Sequence, residues 1–129
     1  MQTQQETTAE AEARAHRDTA GQPVAEIARF LQETFSQRVA ALIAGVDDAR
    51  QVGRWARGQN APRFDSEFRL RTAYQVFTYI ANCENQHTAR AWMMGMNPQL
   101  EDDSPIEAIA DERFKDVMAA ARSFRRGDL

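Results

Sequence analysis

From Val24 onward the apolar positions recur three and four residues apart, the period of an α-helix with one buried stripe. Val24, Ile27, Ala28, Leu31 and Phe35 form the first stripe, and Val39, Leu42, Ile43 and Val46 a second, shorter one. Val52, Trp55 and Ala56 form a third, which Gly58 ends as a left-handed cap with Pro62 shortly after. Ser66 stands where an N-cap is expected, ahead of Leu70, Ala73, Tyr74, Phe77, Ile80 and Ala81. A further helix is predicted over about 86–95. Ser104-Pro105-Ile106-Glu107 then combines an N-cap serine, a proline at the first helical position and a glutamate three residues after the serine, which is a capping box. Phe114, Val117, Met118, Ala121 and Phe124 mark the last helix. No alternating strand pattern of useful length interrupts this series, so the predicted fold is all-α with six or seven helices.

The segment before Val24 reads differently. Residues 1–22 are rich in Gln, Thr, Glu and Ala and carry almost no large apolar side chain, so they offer little burial to offset the entropy of ordering. They are expected to form a mobile polar tail, punctuated by Gly21-Gln22-Pro23. Two further regions follow: residues 23–65, whose second and third helices have the spacing of a helix-turn-helix, and residues 66–129, a small helical domain packed with it. In the helix-turn-helix reading Ala41, Gly45 and Val46 form the turn side, and Val52 and Trp55 face the core, with a turn one residue longer than the tightest version. The outward positions are then Arg50, Gln51, Arg54 and Arg57, with Gln59 and Arg63 just beyond. Arginine reads guanine bidentately and glutamine reads adenine, so these residues suit a major groove. The competing reading is two short helices packed at a steep angle, with a solvated arginine face.

Charge sharpens the first reading. The net charge is −3, yet residues 36–71 hold seven arginines against four acids, whereas residues 99–116 hold two basic residues against seven acids. Cys83 is the only cysteine, so an intrachain disulfide is excluded and a reducing, cytoplasmic setting is expected. The opening residues lack the apolar core of a signal peptide, and the longest apolar run, residues 39–46, is far below the roughly 20 residues that span a bilayer. Met93 and Met96 have the spacing of a soft-metal pair, but too few further ligands stand near them, and core packing is the better account. Cys83 and His87 fall short of a zinc site for the same reason. Neither a phosphate-binding glycine loop nor a nucleophile motif is present, so no catalytic residue, cofactor or metal is assigned and an enzyme is not expected.

Three stretches taken in order, "RVAALIAGVDDARQVGRWARGQNAPR", "FRLRTAYQVFTYI" and "ARAWMMGMNPQLEDDSPIEAIADERFKDVMAAARSF", resemble the Xre/MbcA/ParS class of antitoxins. The match to the toxin-binding signature of that class runs through Trp92, Met93, Asn97, Pro98, Leu100 and Pro105-Ile106; Glu101 stands where the family often has glycine. The resemblance implies an antitoxin that binds a RES-domain, NAD+-consuming toxin, blocks its pocket sterically and represses its own operon as a homodimer or larger hetero-oligomer. Asn97, Leu100, Arg122, Phe124, Arg125 and Arg126 are its candidate toxin contacts, the last four as a pocket plug. Trp55, Trp92, Pro98, Ser104 and Pro105 are its structural residues. A stand-alone repressor without a toxin is the alternative.

Overall fold

The computed structural model describes residues 6–127, and among these every regular element is helical. In chain order they are α1 (Thr8–Ala20), α2 (Val24–Thr34), α3 (Gln37–Ala44), α4 (Arg50–Ala56), α5 (Phe64–Cys83), α6 (Gln86–Met94), a 3-10 turn (Pro98–Leu100), α7 (Pro105–Ala110) and α8 (Phe114–Arg126). The eighth helix, one more than the apolar stripes predict, is α1. No helix among the described residues is long and apolar enough to cross a membrane.

The helix starts follow from local side-chain chemistry. The hydroxyls of Thr7 and Ser36 and the amide oxygen of Asn85 accept the N–H groups of Glu10, Val39 and Thr88 at 3.0, 3.0 and 2.7 Å. Each satisfies a donor that the first helical turn leaves orphaned. The capping box of α7 is complete. Glu107 N–H donates to the Ser104 hydroxyl at 3.1 Å, and Ser104 N–H donates to the Glu107 carboxylate at 3.0 Å. These bonds, the backbone one first, hold the Glu107 carboxyl below the usual glutamate range.

α5 is the common wall of the molecule. It packs against α1, α2, α3, α6, α7 and α8, while α4 lies against α2 and α3. Leu70, Ala73, Val76, Phe77 and Ile80 are buried in a core that also takes Ile27, Leu31, Ile43, Val52, Met93, Leu100, Ile109 and Val117. Phe30 meets Tyr74 and Phe77 edge-on at 5.2 and 5.1 Å, locking α2 to α5. The boundary expected between residues 65 and 66 falls inside the first turn of α5, and this one apolar cluster runs across it.

Two expectations are corrected here. Residues 8–20 are not a mobile tail. Ala11, Ala15 and Thr19 recur every fourth residue and are buried, and such a stripe of small side chains brings α1 into close contact with α5. Arg71 then secures the α1–α2 connection, donating to the carbonyls of Thr19 and Gln22 at 2.9 and 2.8 Å. Residues 1–5 of the expected tail lie outside the described residues. Second, Ser66 is no N-cap. α5 starts three residues earlier than that cap implies, with Arg63 in the cap position, and the buried Ser66 hydroxyl donates to the Ala44 carbonyl at 2.7 Å. Arg69 donates to the same oxygen at 3.2 Å. Together they satisfy the end of α3, where Gly45 turns the chain with a left-handed φ of 78°.

Candidate functional site

Two surfaces gather the residues singled out in the sequence. The first is the α3–α4 corner. Val52, Gly53, Trp55 and Ala56 face inward, which turns Arg50, Arg54 and Arg57 outward at spacings of four and three residues along one face. Arg57 is exposed and reaches the Gln59 side-chain oxygen at 3.4 Å; Arg54 and Gln51 are half-buried; Arg63 is exposed at the start of α5. Arg50 is exposed but tied back, since its guanidinium donates to both Asp48 oxygens at 3.0 and 3.2 Å. That contact holds the Asp48 carboxyl below its ordinary value. A residue the sequence reading missed, Arg29 of α2, joins this edge by donating to the Ala56 carbonyl at 3.3 Å while paired with Glu26 at 3.1 Å. Its position one residue beyond the buried Ile27-Ala28 pair is the signal that marks it as outward-facing.

The second surface is a groove of about 330 Å³ between α6, the 3-10 turn and α8. Trp92, Met96, Asn97, Pro98 and Phe124 line it; of the signature residues Trp92, Asn97 and Pro98 meet here, while Met93, Leu100 and Ile106 are buried in the core. Trp92 and Phe124 pack against each other in its wall, ring centres 5.9 Å apart. Met96, 78% exposed, stands at the rim, and Met94 is also exposed. An exposed methionine beside a half-buried tryptophan offers adaptable apolar contact to a partner.

The floor of the groove is held rigidly. Asn97 accepts Gln99 N–H on its side-chain oxygen at 2.9 Å, donates its own N–H to the Asp103 carbonyl at 3.1 Å and accepts Asp102 N–H at 3.0 Å. This closes a loop in which Glu101 and Asp102 take left-handed φ values of 57° and 68°. The position where the resemblance has glycine is therefore a left-handed one, occupied here by glutamate. Arg113 fastens the loop to α8 by donating to the Leu100 carbonyl and the Asp103 carboxylate, each at 3.4 Å.

Several assignments change with this geometry. Leu100 cannot be a surface contact: it is fully buried, the one apolar plug that the 3-10 turn sends into the core. Trp92 is no core anchor either. It is half-buried on the groove wall, and the neighbouring Met93 fills the core instead. Of the three methionines in the cluster, only Met93 packs inside. Arg122, Phe124, Arg125 and Arg126 do not form a projecting plug, because they belong to the last turns of α8 and most lie against the body. Arg122 makes a two-pronged ion pair with Glu12 of α1, at 2.9 and 2.6 Å. Its guanidinium, through hydrogen bonding first, keeps the Glu12 carboxyl below the usual range. The Arg125 guanidinium sits 5.3 Å above the Tyr79 ring, a cation–π contact, and burial pushes the Tyr79 hydroxyl's pKa up. Arg126 is exposed near the C-terminal end of α8. Pro98, Ser104 and Pro105 hold their expected places at the starts of the 3-10 turn and α7, and Trp55 is buried in the core.

No protein-family model matches this chain, and no match was found among curated proteins or among solved structures.

Proposed function

We propose that this chain is an antitoxin of a type II toxin–antitoxin pair, holding a RES-domain toxin at the Trp92–Phe124 groove and reading operator DNA with the α3–α4 corner. The observation that carries the reading is the convergence of Trp92, Met96, Asn97, Pro98 and Phe124 on one open apolar groove. Asn97 and Phe124 of the candidate contacts, with Trp92 and Pro98, form a single surface there, with an exposed methionine at its edge. Anchors of this kind supply most of the binding energy in protein interfaces. Toxin inhibition is steric in this reading: the groove seats the partner and the body of the chain excludes substrate from it. The second role draws support from Arg54, Arg57 and Arg63, together with Arg29, at the corner, where cations meet phosphates and fix register.

The test is capture of the partner from its own host by the tagged protein, washed in high salt to remove nucleic-acid bridging, beside Met96→Asp. Met96 is 78% exposed, so its replacement leaves the core untouched. A stoichiometric NAD+-consuming protein retained by the wild type and lost with Met96→Asp is the expected result. If the wild type brings down only operator DNA, the chain is a repressor without a toxin. If both chains hold the toxin equally, the groove is not its seat.

A further inference from the structure

α1 is fastened at two points and lightly packed between them. It buries only Ala11, Ala15 and Thr19, and the Thr19 hydroxyl donates to the Ala15 carbonyl of its own helix at 2.8 Å. Small side chains bring little apolar area out of water. Clefts of about 440 and 390 Å³ run along α1, the first against Gln75 and the second against Asn82 and Arg125. At its C-terminal end Arg71 of α5 grips the Thr19 and Gln22 carbonyls at 2.9 and 2.8 Å. Toward its N-terminal end the tie is Glu12, whose carboxylate accepts both prongs of Arg122 from α8 at 2.9 and 2.6 Å.

The seam that this pair closes leaves polar groups unmet. Tyr79 of α5 is fully buried, and among the described residues its hydroxyl has no hydrogen-bond partner. Nη1 of Arg125, whose guanidinium lies over the same ring, is buried without one as well. Burial comes first among the influences on that hydroxyl, followed by the charges of Arg125, Glu12 and Arg122, so it lies beneath the seam between α1 and α8. A buried donor without an acceptor is costly, and it regains one from water when a seam opens.

What the seam controls follows from the geometry of α8. Ala120 and Phe124 line the groove, and Phe124 packs on Trp92. Arg122 lies halfway between them in sequence. At about 100° per residue it projects about 200° away from each, on the far side of the helix. α8 is thus one wall shared by the groove and the α1 seam, and Glu12 braces from behind the turn that carries Phe124.

We propose that α1 is a latch on the Trp92–Phe124 groove. Docked, it holds Arg122 and sets the groove wall. Lifted about its Arg71 anchor, it lets the last turns of α8 shift, and Phe124 loses its seat against Trp92. The light packing of the seam and its two unmet polar groups keep the two arrangements close in free energy. A partner that binds the finished wall selects the docked arrangement. That control of partner binding rests on the proposed function, whereas the latch itself does not.

The experiment uses the full chain alone, without toxin or DNA. Trp55 is buried, so acrylamide quenching of tryptophan fluorescence reports Trp92. Hydrogen exchange read by mass spectrometry follows the opening of α1. Glu12→Arg and Arg122→Glu each set like charges across the seam. Each is expected to speed exchange in α1 about five- to tenfold and to raise the quenching of Trp92. Glu12→Gln, which introduces no repulsion, should move both readouts the same way by a smaller factor. The doubly inverted chain, Glu12→Arg with Arg122→Glu, is expected to return both to near the wild-type values, which a fold merely damaged at either position would not do. Faster exchange in α1 with Trp92 quenching unchanged would make α1 a brace without control of the groove and overturn the proposal. So would single reversals that leave α1 protected, or an inverted chain that recovers neither readout. No readout involves a partner, so failure to capture a toxin counts only against the groove's proposed occupant.

Discussion

Leu100→Ala separates a core residue from a contact residue. The side chain is fully buried beneath the 3-10 turn, and the substitution removes three carbons from it. At about 0.8 kcal/mol per buried methylene, the lost transfer free energy alone is about 2.4 kcal/mol. The hole left behind adds to this, by an amount that depends on how far the surroundings collapse. Here collapse is resisted on both sides. Leu100 N–H donates to the Asn97 carbonyl at 2.9 Å, and the Leu100 carbonyl accepts from Asp103 N–H at 3.1 Å and from Arg113 at 3.4 Å. The expected cost is therefore about 3–4 kcal/mol, within the range measured for buried leucines. For a chain of this size that lowers the thermal midpoint by about 12 °C. Thermal and urea unfolding followed by circular dichroism at the helix band measure it directly. A midpoint within about 3 °C of the wild type would refute the reasoning, because a loss that small belongs to a surface side chain. At temperatures where the variant stays folded, partner capture should persist, since no Leu100 surface faces outward.

Two further substitutions test the loop and the first helix. Glu101→Gly relieves a left-handed backbone that costs a non-glycine residue about 1–2 kcal/mol, partly offset by the extra chain entropy of glycine; a rise of about 2–4 °C in the melting midpoint is expected, and a fall would mean that the glutamate side chain stabilises the turn. Glu12→Gln should cost less than about 1 kcal/mol overall, because the pair with Arg122 is partly exposed, yet speed amide exchange across α1 selectively. The Glu12 carboxyl has a lowered pKa, so its contribution is complete above the ordinary value of 4.5 and disappears as the pH falls through the lower value of the folded chain. Wild-type α1 should accordingly loosen in that acid window while Glu12→Gln shows no such step, and identical pH profiles for the two would remove the ion pair from the account.

Punctuation residues carried most of the fold that was legible. Ser104, Pro105 and Glu107 act locally, so their pattern alone implies the capping box that α7 has. Gly58 takes the left-handed φ that its place after Trp55-Ala56 suggests. What escaped depends on distant partners. α1 is held by alanines that carry little hydrophobic signal and by Glu12 meeting Arg122, a pair 110 residues apart. The start of α5 was misplaced because Phe64 and Phe68 lie outside its buried stripe and Ser66 mimics a cap, whereas its hydroxyl serves α3. At the candidate site, Trp92, Asn97 and Pro98, grouped by their order along the chain, share one groove. Yet Leu100 among Gln99, Glu101 and Asp102 gives no sign of pointing inward, and only the left-handed loop aims it there.

The shared helix α5 has a thermodynamic consequence. It spans 20 residues, about 30 Å at 1.5 Å per residue, with α3 of the arginine corner against it and α6 and α8 packed along it. A ligand seated at one end that stiffens α5 supplies ordering free energy that a ligand at the other end no longer has to contribute. Binding at the groove and at the corner is then linked, and linkage is reciprocal: whatever factor the protein partner lends to operator affinity, the operator lends back to the protein partner. If the proposed function holds, operator occupancy and partner occupancy form one coupled equilibrium carried on a single helix.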